Sequence, residues 1–138
     1  MAKFSEIELA FDFVSSGAPL EHAAYVSLAT GQTYWHTEIA DNLEPLPSDI
    51  DEPGRYVAIP HKNELGLGKP LVLKFVERAL PEKFHEVAAI FQRTGAYGRF
   101  KGLLERCGKL DEWYEFENHS QREALRSWCA ANGIEIED

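Results

Sequence analysis

The segment from Arg93 to Lys101 combines cations, glycines and an aromatic ring in a pattern that can bind anions. Its two glycines let the backbone turn tightly before a predicted helix, whose free N–H groups and positive dipole end attract anions. Arg93, Arg99 and Lys101 add positive charge, and Tyr97 can stack on a base. The pattern predicts an anion or nucleic-acid site. The alternative, which we favour, is a glycine-interrupted connection between two helices with solvated charges.

Residues 38–52 carry six acidic side chains and no basic one, which predicts a surface for a basic protein partner. The residues assigned to this surface are Glu44, Asp49, Asp51 and Glu52. Prolines in the same segment reduce the conformational entropy that is lost on docking. Two alternatives stay open: the segment is only a solubilising loop, or it folds back onto residues 69–109, which hold nine Lys and Arg against four Glu.

Motifs for metal binding, nucleotide binding and nucleophilic catalysis are all incomplete. The five histidines lie at least 14 residues apart, and Ala89 stands where a zinc-binding HExxH motif beginning at His85 needs its second histidine. Residues 63–70 lack the first glycine and the hydroxyl side chain of a phosphate-binding loop. We therefore predict no catalytic residue, no metal ligand and no cofactor.

The composition is that of a soluble domain of an intracellular protein. The chain has 138 residues, a formal net charge of −9 and 44% hydrophobic residues. Its longest apolar run, residues 87–91, is far shorter than the roughly 20 residues of a membrane helix, and its start lacks the apolar core of a signal peptide. Cys107 and Cys129 form no CxxC pair. We predict a cytoplasmic location and no membrane contact. An interaction with nucleic acid is possible but is not favoured.

These side chains must be positioned by a short first helix and a small sheet. Apolar spacing predicts a helix from about Ser5 to Ser15, with Ser5 and Glu8 as a capping box. Residues 23–29 and 32–39 are rich in small, aromatic and β-branched side chains around the turn at Thr30-Gly31, which predicts a β-hairpin. Residues 55–59 predict a third strand, and the proline-rich segment 41–54 predicts a loop.

The second half of the chain has helical periodicity throughout. Helices are predicted over about 70–80 and 81–91, through Phe100 to Cys107, and from an N-cap at Asp111 to about Ala131. Because strands and helices are segregated, the fold class is α+β: an N-terminal helix, a three-stranded antiparallel meander and about four helices packed on the sheet. We predict a single domain over 1–138, with helix plus sheet in about 1–62 and helices in about 63–138.

Landmarks along most of the chain carry a resemblance to a known family. They are Leu28-Ala29-Thr30-Gly31, Arg55-Tyr56-Val57-Ala58-Ile59-Pro60, the 95–100 connection, Phe100-Lys101-Gly102-Leu103-Leu104, Trp113-Tyr114-Glu115-Phe116, Arg122, Ala124, Trp128 and Asn132-Gly133-Ile134. In this order they resemble a group of small bacterial proteins in the uncharacterised-protein-family series. The resemblance implies a compact α+β domain over roughly residues 22–136 and brings no established activity or catalytic residues. Cys129 departs from it, because an aliphatic residue is expected there.

The sequence thus favours a non-enzymatic interaction or regulatory module. Its partner would be another protein or a second copy of this chain, bound through the acidic segment or an aromatic surface. An anion or nucleic-acid binding module centred on residues 93–101 is the alternative. An enzyme whose site is assembled from distant residues is the third hypothesis.

Overall fold

The computed structural model describes residues 1–18, 21–37 and 45–138. The chain divides into two compact units, the first formed by residues 1–65 and 122–138 and the second by residues 66–121. The predicted α+β class is confirmed, with an N-terminal helix, a three-stranded antiparallel sheet and then helices. The assignment of residues 1–138 to a single domain stays a prediction.

The first unit begins with a two-residue strand that leads directly into a helix. Strand β1 is Ala2–Lys3 and helix α1 is Phe4–Ser15. The predicted capping box is wrong: Lys3 occupies the N-cap position without a side-chain cap bond, and Ser5 lies inside the first turn. Strand pairing holds Lys3 in an extended conformation, so the N-cap lies two residues earlier than the polar residues Ser5 and Glu8 indicate. The predicted apolar stripe is buried and consists of Ile7, Phe11 and Val14.

The three-stranded sheet consists of β2 (His22–Ser27), β3 (Thr33–Thr37) and β4 (Tyr56–Ala58), in the order β3-β2-β4. The predicted hairpin is confirmed, with Tyr25 opposite Tyr34. The strand order differs from that of the predicted meander, in which β4 would pair with β3. Instead, β4 pairs antiparallel with β2, placing Val57 opposite Val26. The central strand is therefore β2, which buries Ala24 and Val26 against α1.

The second unit contains helices α2 (Lys69–Ala79), α3 (Phe84–Ile90) and α4 (Ala96–Cys107), and the first part of α5 (Leu110–Ala131). Its core is a cluster of buried apolar side chains around Trp113, whose ring makes edge contacts with Phe75 at 5.3 Å and Phe100 at 5.1 Å. The predicted helices are present, but α5 begins at Leu110, so Asp111 lies in its first turn rather than at the N-cap.

The residues of α5 from Arg122 onward belong to the first unit. Leu125 and Cys129 are buried there, and the Arg126 guanidinium lies 4.1 Å from the centre of the Phe4 ring. The chain then forms strand β5 (Ile136–Glu137), which pairs in parallel with β1. Although α5 has 22 residues, neither it nor any other helix in the described ranges is long and apolar enough to cross a membrane.

Gly31, in the turn between β2 and β3, permits a close approach of the N-terminal segment. Its φ is +77°, a left-handed value that favours glycine. A Cβ atom built at this position would lie only 2.6 Å from the backbone nitrogen of Ala2. The turn and β1 are therefore in direct backbone contact, and no other residue type fits at position 31 without displacement.

Candidate functional site

The face of the sheet that points away from α1 carries three tyrosines. Side chains alternate along a strand, so neighbours in sequence lie on opposite faces. Trp35 lies on the face toward α1, where its ring stacks on Phe13 at 4.7 Å. The neighbouring Tyr34 therefore lies on the outer face, together with its partner Tyr25 on the central strand.

Tyr56 completes this surface, which we call the tyrosine face (Tyr25, Tyr34 and Tyr56). Its ring meets the Tyr34 ring edge-on, with the centroids 6.0 Å apart and an angle of 77° between the planes. All three tyrosines are half-buried. Edge-on packing fixes the orientation of two of the rings, so part of their aromatic surface is held in position for a partner.

A carboxylate anchors one end of the tyrosine face. The Tyr56 hydroxyl donates to Asp49 Oδ1 at 2.8 Å, and an Arg55 terminal nitrogen donates to Asp49 Oδ2 at 3.0 Å. The Tyr56 hydrogen bond, assisted by the Arg55 guanidinium, lowers the pKa of Asp49 below its ordinary value. The same bond raises the pKa of Tyr56, because the hydroxyl that it uses must stay protonated.

Negative charge dominates the unit that holds the tyrosine face. Residues 1–65 and 122–138 carry 15 acidic and five basic side chains, whereas residues 66–121 carry eight acidic and nine basic ones. Aromatic faces and carboxylates both attract cations, and a negative field repels phosphate. This arrangement therefore favours lysine or arginine side chains as ligands and disfavours nucleic acid at this surface.

The predicted acidic surface is only partly available to a partner. Glu44 lies outside the described residues. Asp49 is engaged by Tyr56 and Arg55, and Glu52 Oε2 lies 2.7 Å from Arg55 Nε. Asp51 is exposed in the same loop. The segment supplies carboxylates at the margin of the tyrosine face, and two of them already contact Arg55.

The predicted anion-binding residues are placed at the start of α4 without converging on one point. Arg93 is exposed, and the Arg99 guanidinium donates to the carbonyl oxygen of Thr94 at 2.6 Å, which ties Arg99 to its own loop. The Tyr97 ring packs edge-on against Phe91 at 5.0 Å, and burial raises the pKa of its hydroxyl. This side chain is thus committed to packing.

Lys101 points to a different neighbour. Its Nζ lies 5.5 Å from the centre of the Tyr114 ring, a cation–π contact between α4 and α5. The prediction that both glycines precede this helix is wrong. Helix α4 begins at Ala96, directly after Gly95 with its φ of +74°, so Gly98 lies inside the helix. The side chains expected to act together there are divided between separate local contacts.

Two histidines take part in well-defined polar contacts of the first unit. His22 Nδ1 lies 2.8 Å from Thr37 Oγ1. His61 is buried: its Nδ1 accepts the N–H of Asn63 at 3.0 Å, so its Nε2 donates to the Gly17 carbonyl at 2.9 Å. Over the part of the chain that the structure describes, no three His, Cys, Asp or Glu residues are grouped to hold a metal ion.

A groove in the second unit is lined by one histidine and by two glutamates. It has a volume of about 660 Å³. The side chains that line it include Phe75, Arg78, Lys109, Glu112, Glu115, Phe116 and His119. Lys109 Nζ lies 3.2 Å from Glu112 Oε1. The lining carries both signs of charge.

Sequence reasoning did not identify the tyrosine face, although a signal was present. The two-residue alternation of a strand places Tyr25 apart from Ala24 and Val26, and Tyr34 apart from Trp35. The contribution of Tyr56 depends on the pairing of β4 with β2, which the local pattern does not specify.

Comparison of the chain with protein-family models, with curated proteins and with solved structures found no match.

Proposed function

We propose that this chain is an intracellular protein-interaction module that binds a cationic segment of a partner protein on the tyrosine face. The observation that carries the proposal is the combination of Tyr25, Tyr34 and Tyr56 with the Asp49 carboxylate in a unit of strongly negative charge. A lysine or arginine side chain would lie over an aromatic ring and near the carboxylates. The two cysteines, both unpaired, are compatible with the reducing cytoplasm.

The resemblance to small bacterial proteins of the uncharacterised-protein-family series remains part of this proposal and adds no activity to it. The face has the size and character of a docking surface for an extended segment, since it spans three strands about 4.8 Å apart. Such segments owe their affinity to a few aromatic and charged anchors. A homodimer would place two negative units together, so a basic partner protein is favoured over a second copy.

The direct test measures the binding of three labelled probes to the protein by fluorescence anisotropy, at low and at high salt. They are an Arg-Gly nonapeptide, a Glu-Gly nonapeptide and single-stranded oligouridine. We expect salt-sensitive binding of the first peptide alone. Absence of binding by that peptide would refute the proposal, and binding of oligouridine in its place would favour the alternative site at Arg93, Arg99 and Lys101.

Matched variants separate the tyrosine face from general charge attraction. Tyr34→Leu removes the aromatic surface and should weaken binding about two- to fivefold, while Tyr34→Phe should retain it. Asp51→Lys with Glu52→Lys should weaken binding more than Glu135→Lys with Glu137→Lys, which changes the charge of the same unit equally. Equal losses in the two charge variants, together with no effect of Tyr34→Leu, would show non-specific attraction.

A further inference from the structure

Arg55 contacts the two carboxylates at the margin of the tyrosine face. Its Nε lies 2.7 Å from Glu52 Oε2, and one terminal nitrogen lies 3.0 Å from Asp49 Oδ2. Asp49 also accepts the hydrogen bond from Tyr56, a member of the face. A guanidinium therefore already lies between the two carboxylates at the margin of this surface.

This contact is easily exchanged. The Arg55 side chain is 61% exposed and Glu52 is 56% exposed, and exposed ion pairs stabilise a fold by only about 0.2–1 kcal/mol. Asp49 is held independently by the Tyr56 hydroxyl, so its carboxylate keeps its orientation when Arg55 leaves. A competing guanidinium would thus find the Asp49 carboxylate already oriented.

We infer that Arg55 is an intramolecular competitor that occupies the two carboxylates at the margin of the tyrosine face and must be displaced from them by an arginine of the partner. The inference rests on the proposed function and specifies its ligand. The two carboxylates contact different nitrogens of one guanidinium, an arrangement that a planar arginine head can satisfy. A lysine ammonium is a point charge and matches it less well, so arginine should be preferred.

The test compares Arg55→Gln with Arg126→Gln in binding the Arg-Gly nonapeptide. Both variants remove one arginine that is paired with a carboxylate in the first unit, and Arg126 pairs with Asp138 at 2.6 Å. We expect Arg55→Gln to bind about two- to fivefold more tightly than the unaltered protein, the gain from removing an exposed ion pair. Arg126→Gln should bind as the unaltered protein does, and Arg55→Lys should lie between the two.

The outcomes distinguish this inference from the proposed function. If the unaltered protein binds the peptide but Arg55→Gln binds equally or more weakly, competition by Arg55 is refuted and the proposed function stands. An equal gain in Arg126→Gln also refutes it. If neither protein binds, the proposed function fails as well. A Lys-Gly nonapeptide that binds as tightly as the Arg-Gly peptide would refute the preference for arginine.

Discussion

Asp49 is the residue on which the polar contacts at the margin of the tyrosine face converge. It accepts from an uncharged hydroxyl and from a guanidinium, and the two contacts are made by consecutive residues, Tyr56 and Arg55. Removing either donor therefore has a different consequence: loss of Arg55 removes a charge, whereas loss of the Tyr56 hydroxyl removes the bond that orients the carboxylate.

The lowered pKa of Asp49 predicts a pH dependence of stability. Because the folded state favours the carboxylate, its contribution is complete above the ordinary aspartate pKa of about 3.9 and is lost as the pH falls through the lower folded value. Tyr56→Phe removes the largest cause of the shift and should raise the pKa of Asp49 toward the ordinary value. Carboxyl ¹³C NMR titration between pH 2 and 6 measures it. An unchanged titration midpoint would contradict this origin of the shift.

His61 should stabilise the first unit through both ring nitrogens. Replacing it in His61→Leu leaves the Gly17 carbonyl without its donor and the Asn63 N–H without its acceptor. We expect a loss of about 1–3 kcal/mol in the free energy of unfolding, measured by urea denaturation. The exposed His85→Gln should change it by less than about 0.5 kcal/mol. Equal stability of the two variants would show that the His61 contacts contribute little.

At the scale of elements, local patterns identified the helices and strands but not all of their partners. The stripe of Leu71, Val72, Phe75 and Val76 predicts α2 because burial on one side of a helix requires that spacing. The start of α1 could not be read from Ser5, since it is set by pairing of β1 with a strand more than 130 residues away. The pairing of β4 with β2 could likewise not be predicted from the local pattern.

The candidate site was predictable to a similar extent. The acidic residues at its margin were recognised from their density, but their pairing with Arg55 depends on a turn that brings residues 49, 52 and 55 together. The charge of the basic segment was described correctly from the sequence. The sequence did not show that Tyr97 packs against Phe91 or that Arg99 donates a hydrogen bond to its own loop.

Gly31, in the turn between β2 and β3, and Gly54, in the loop before β4, offer a matched pair of glycine substitutions. Gly31 and Gly54 have nearly equal φ values, +77° and +79°, but only Gly31 faces another backbone. Gly54→Ala should cost about 1 kcal/mol from its φ alone. Gly31→Ala should cost more, because it must also displace Ala2 from its contact. Thermal unfolding measures both, and equal losses would show that the close approach is readily relaxed.

At the scale of the whole molecule, charge is unevenly distributed between the units. The unit that carries the tyrosine face has ten more acidic than basic side chains, and the other unit has one more basic than acidic. Such an excess attracts cations from a distance and speeds their encounter with the face, an effect that salt weakens. The same excess opposes the folded state through self-repulsion.

Added salt should therefore stabilise this protein. Raising NaCl from about 20 to 300 mM shortens the Debye length from roughly 20 Å to about 6 Å and screens the repulsion. We expect the melting temperature to rise by roughly 2–6 °C, the shift that about 1 kcal/mol produces in a chain of this length. Potassium chloride serves as the control for a specific sodium effect. A fall in melting temperature would mean that surface ion pairs such as Arg126–Asp138 outweigh the repulsion.

The buried thiol of Cys129 gives the first unit an internal chemical reporter. Only 1% of the residue is exposed, and burial raises the pKa of its thiol, so the reactive thiolate is scarce while the unit is closed. Alkylation by iodoacetamide at this position must then wait for local opening. The labelling rate of Cys129, measured by mass spectrometry, would give the free energy of opening of the first unit. A lower rate in the presence of peptide would show that binding suppresses this opening.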